Sequence, residues 1–71
     1  MTRRDYVRIA RAIDSIGSDY QREEDDGGPA RVPWSEILDA VVEELADEFE
    51  KESPRFDRAR FAIAARKEWG A

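Results

Sequence analysis

Apolar residues recur along the first part of the chain at Tyr6, Ile9, Ile13, Ile16 and Tyr20, in steps of three, four, three and four. That spacing aligns them on one face of a 3.6-residue period and predicts an amphipathic helix over residues 3–20. Thr2 and Asp5 stand in the Ser/Thr-x-x-acid relation that closes a helix N-terminus. Gly17 weakens the far end by about 1 kcal/mol relative to Ala, so the helix is expected to fray or stop near it. Residues 22–33 then break the pattern with four consecutive acids, Gly27-Gly28, Pro29 and Pro33, and read as a flexible acidic Gly/Pro loop.

The strongest periodicity follows. Trp34, Ile37, Leu38, Val41, Val42, Leu45 and Phe49 form one broad apolar stripe, which predicts a second helix over 34–52. Ser53-Pro54 turns the chain. A third helix is expected over 57–69, with Asp57 as its cap, Phe56 and Phe61 placed as a hydrophobic staple, and Gly70 as its stop. Four alanines, at 59, 62, 64 and 65, keep that helix slim. The expected fold is a small all-α, three-helix domain spanning 1–71. Its few large apolar positions make a core of only about 3–5 kcal/mol net, so completion by homodimerisation is the alternative to a monomer.

Composition changes this picture in two ways. The 71 residues include no Cys and no His, which removes thiol nucleophiles, disulfides, imidazole bases and Cys/His metal sites. No cofactor motif is present, since Gly27-Gly28-Pro29 matches neither phosphate-loop pattern. Carboxylate pairs abound, but acid–base catalysis needs two of them in different environments within a cleft, and so small a core offers little cleft. Glu23 to Asp26 lack the alternating ligand spacing of a calcium loop. A non-enzymatic protein without metal is the expectation. With no apolar run near the ~20 residues of a membrane span and no apolar leader after Met1, the expected location is the cytoplasm.

Charge is also unevenly placed. The net value is −5, yet residues 1–22 and 53–71 are mildly basic while 23–52 carry twelve acids against Arg31 and Lys51. On the second helix Glu36, Asp39, Glu43, Asp47 and Glu50 fall opposite the apolar stripe. Acids at this spacing sit ~5–6 Å apart, comparable to phosphates along a nucleic-acid strand. These five are the candidate protein-interaction residues, a DNA-mimicking row for a partner that normally grips nucleic acid. A solvated helix face is the plain alternative. Glu44, Glu48 and Glu52 drift toward the apolar stripe and are the candidates for internal salt bridges with Arg8, Arg11, Arg58 and Arg60. Arg3, Arg4, Arg8 and Arg11 on the first helix, with Arg55, Arg58, Arg60, Arg66 and Lys67 near the third, support a competing reading, a small DNA-associated regulator using Arg-rich end helices, and the favoured alternative is that these residues neutralise the acidic second helix. Direct nucleic-acid binding is opposed by the acidic middle.

Two stretches carry a resemblance. Thr2-Arg3-Arg4-Asp5-Tyr6 with Ile9-Ala10-Arg11-Ala12-Ile13, and Ser53-Pro54-Arg55-Phe56-Asp57-Arg58-Ala59-Arg60-Phe61, resemble the opening and ending of short phage and prophage accessory proteins. The tail Ile63 to Trp69 departs from their usual Ala/Cys/Gly ending. The resemblance implies a mobile-element origin in a bacterial host. With the acidic row, it implies an anti-CRISPR-like inhibitor of a host defence or other nucleic-acid-handling complex, or else a structural or assembly dimer. It implies no catalytic or cofactor residues.

Overall fold

In the computed structural model, residues 2–27 and 33–70 are described, and three helices account for most of them. They are α1 (Arg3–Asp25), α2 (Trp34–Glu52) and α3 (Arg58–Ala65). No strand occurs among the described residues. The N-terminus of α1 closes as its sequence predicts. Thr2 Oγ1 accepts from the Asp5 N–H at 3.3 Å, and Asp5 Oδ2 accepts from the Thr2 N–H at 3.0 Å. Those reciprocal bonds satisfy two of the helix's orphan donors.

The far end of α1 departs from expectation. The helix does not stop at Gly17 or residue 20, and Arg22 to Asp25 are helical rather than loop. Two tertiary contacts explain the extension. The Trp34 ring stacks on Tyr20 with centroids 5.6 Å apart and planes 12° from parallel. Its indole N–H donates to Glu24 Oε1 at 2.6 Å. The opening of α2 thereby holds the last turns of α1 in place. Part of the expected loop, residues 28–32, lies outside the described residues.

Antiparallel packing of α1 and α2 follows from the aromatic pairs at their two ends. Tyr6 meets Phe49 at 4.9 Å, and Tyr20 meets Trp34 at the other end. At 1.5 Å per residue these helices are about 30–35 Å long, which sets the elongated shape of 42 × 18 × 17 Å. The short α3 lies in the groove along one side of the pair. Asp57 caps it by accepting from the Arg60 N–H at 3.0 Å. Phe56 and Phe61 meet at 5.6 Å, as the expected staple requires. The helix is shorter than expected: it begins at Arg58 and ends at Ala65, and residues 66–69 continue in turns.

The core has two aromatic ends and a narrow aliphatic middle. Tyr6, Phe49, Phe56 and Phe61 interlock at one end, while Tyr20, Trp34 and Trp69 stack at the other. Between them Ala10, Ile13, Val42, Ala46 and Ala65 are buried. These small side chains are what lets three helices approach closely. On α1 the buried line therefore runs through Ala10, Ile13 and Gly17, whereas Ile16 and Tyr20 of the sequence stripe stay exposed.

Candidate functional site

The five acids of the expected interaction row do share one flank of α2, but that flank borders α3. Arg58 donates to Glu43 Oε2 at 3.0 Å and reaches Asp47 Oδ1 at 2.9 Å and Glu50 Oε1 at 3.6 Å. Arg66 donates through Nε to Asp39 Oδ1 at 2.6 Å and through Nη2 to Glu43 Oε1 at 3.4 Å. Two guanidinium groups thus clamp α3 onto four carboxylates of α2. Hydrogen bonding to Asp47 comes first in raising the Arg58 pKa above its ordinary value, with Glu43 and Glu50 adding to it against partial desolvation. Glu36, in the first turn of α2, joins no ion pair among the described residues.

The clamp leaves the row accessible. The side chains of Asp39, Glu43, Asp47 and Glu50 keep 50–58% of their exposure. Five carboxylates against two guanidinium groups leave the flank strongly negative.

The expected internal salt bridges are placed differently. Glu48 pairs with Lys51 at 3.3 Å, and neither Glu44 nor the guanidinium groups of Arg11 and Arg60 joins an ion pair among the described residues. Arg8 lies close enough to Asp5 to help lower that carboxyl's pKa, behind the dominant hydrogen bonds from Thr2. Among the described residues Arg58 is the expected partner seen to grip α2, and it grips the row expected to face outward. The reason is rotational. The buried face of α2 centres on Trp34, Val42, Ala46 and Phe49, so Ile37 and Val41 fall on an exposed edge. Glu44 and Glu48 share that edge, on the side of α2 away from α3.

Arg66, expected only as one of the end-helix bases that neutralise the acidic second helix, had a more specific signal in its spacing. Arg58, Ala62 and Arg66 step by four along the third helix, matching Asp39, Glu43 and Asp47 on the second. The tail beyond α3 is pinned by a further bond, from the Glu68 N–H to Asp14 Oδ1 at 2.8 Å. Glu23, Glu24 and Asp25 are spread around the last turn of α1, with Glu24 holding Trp34. Among the described residues no group of acids is arranged to hold a metal ion, and no helix is long and apolar enough to cross a membrane.

Compared with protein-family models, curated proteins and solved structures, the chain matches none of them.

Proposed function

We propose that this chain is a non-enzymatic interaction protein whose acidic α2 flank docks on a cationic, nucleic-acid-gripping surface of another protein. The observation that supports the reading is the flank itself: a carboxylate row that stays half exposed and negative after Arg58 and Arg66 have taken their places. Those two arginines also show how the row receives a guanidinium. A single fork spans successive carboxylates one turn apart, the geometry it would otherwise use on neighbouring phosphates. In function this corresponds to an inhibitor of a host defence or other nucleic-acid-handling complex, of the phage-encoded kind that the two terminal stretches resemble.

The test uses the tagged chain to capture partners from nuclease-treated bacterial lysate. Glu36→Lys with Glu50→Lys reverses two charges while keeping the Asp39, Glu43 and Asp47 contacts that hold α3; an unchanged circular dichroism spectrum is the folding control. The expected result is recovery of a nucleic-acid-binding protein that duplex DNA competes away and the double variant fails to retain. Recovery of the chain's own copies alone, or of partners indifferent to both changes, would make the flank a solvated surface and leave an assembly dimer. Retardation of a DNA probe by the chain itself would favour the regulator that uses the exposed Arg4, Arg8 and Arg11 on the back of α1.

A further inference from the structure

At the opposite end of the charge distribution, a groove of about 400 Å³ opens between the first turns of α1, the α2–α3 connection and α3. Arg3, Arg55 and Arg60 stand around it, all exposed. Among the described residues none of the three has a carboxylate in salt-bridge reach, unlike Arg58 and Arg66. Asp57 also lines the groove, but its Oδ1 is engaged by the Arg60 N–H. The wall is aromatic, built from Tyr6, Phe56 and Phe61.

Tyr6 is the member of that wall with a polar tip. Its hydroxyl is buried and has no hydrogen-bond partner, which is uncommon for a buried polar group. Burial, followed by the charges of Glu52 and Asp5, holds its pKa above the ordinary value, so it stays a protonated donor. A cavity in the lower part of the ligand-pocket range, an aromatic wall and three guanidinium groups against the single lining carboxylate of Asp57 share one chemistry. Each is answered by an anion with a flat apolar body.

We propose that this groove binds a small aromatic anion, a phosphate monoester or carboxylate on a single ring. The ring packs on Phe56 and Phe61, and the anion meets the forks of Arg3, Arg55 and Arg60. The site is independent of the acidic flank of α2.

Backbone amide shifts in an NMR titration test it, with phenyl phosphate and benzoate as probes and with inorganic phosphate and benzyl alcohol as the ring-free and charge-free controls. Saturable shifts are expected at residues 3–10 and 53–64 with at least one aromatic anion, and both controls should bind about tenfold or more weakly. Arg55→Gln with Arg60→Gln should cost a further factor of about ten while leaving the spectrum dispersed. The proposal is overturned if no probe saturates, if shifts map elsewhere, if benzyl alcohol binds as well as the anions, or if the Arg55/Arg60 variant binds unchanged.

Discussion

Gly17 offers the sharpest test of how α1 and the tail fit together. By helix propensity alone, Gly17→Ala in the middle of a 23-residue helix should stabilise the chain by about 1 kcal/mol. The packing says otherwise. A Cβ at residue 17 would lie 2.0 Å from Trp69 Cδ1 and 2.3 Å from its Cγ and Nε1. The indole cannot slide away freely, because its N–H is held by the Ala65 carbonyl at 2.7 Å and its edge abuts Trp34 at 5.8 Å. Overpacking of this kind costs about 1–3 kcal/mol, and expelling the ring forfeits part of the ~3–5 kcal/mol that a buried aromatic contributes. The expected net effect is a loss of about 1–3 kcal/mol, read as a melting temperature lower by roughly 4–8 °C per kcal/mol. In a Trp69→Ala background the clash is gone, and the same Gly17→Ala change should stabilise by up to about 1 kcal/mol. Urea titrations of the four chains, followed by circular dichroism, give both values. If Gly17→Ala raises stability while Trp69 is present, the close approach of tail and helix is wrong.

Other consequences are open to measurement. Arg58→Ala should lower the melting temperature and reduce its dependence on salt, whereas Arg11→Ala, which joins no ion pair among the described residues, should change neither; equal effects would deny the clamp. Trp34→Phe keeps a ring against Tyr20 but deletes the bond to Glu24, a hydrogen bond to a charged acceptor worth about 1.5–3 kcal/mol when well buried and less at this half-exposed site. It should speed amide exchange at residues 22–25 more than near Ile13, and uniform loss of protection would refute that account. Acid provides a third check. Hydrogen bonding from Thr2 holds the Asp5 carboxyl below its ordinary value of 3.8. Its contribution is therefore complete above that value and is lost as pH falls through the lower, folded-state value. The stability gap between the native chain and Asp5→Asn should shrink on acidification below about pH 4, and a gap that stays constant would remove the capping role.

Local chemistry made several features legible along the chain. The Thr2–Asp5 box, the Asp57 cap, the Phe56–Phe61 staple and the existence of three helices each depend on residues within a few positions of one another. Neighbours in sequence are neighbours in space on a helix, so these signals need no knowledge of the fold. The rotation of each helix was harder to read. Large apolar residues on α1 pointed to a face through Ile16 and Tyr20, yet the close contacts run through Ala10 and Gly17, which a hydrophobicity pattern scarcely registers. A shift of this size in the buried face of α2 is enough to exchange the roles of its two acid rows.

The sequence by itself determined a three-helix chain, its caps and a carboxylate row of even spacing, because propensity, capping and periodicity act over one or two turns. Only the tertiary structure decided that α1 runs on to Asp25, since that extension rests on Trp34 reaching back ten residues to Glu24. It also decided that Gly17 is a docking site for Trp69 rather than a weak point, and that among the described residues it is Arg58 and Arg66 that meet the acid row of α2. Each of those outcomes depends on where α3 lies across the helix pair. That placement is set by close packing among alanines and aromatics far apart in the chain, a property of fitted surfaces rather than of any local pattern.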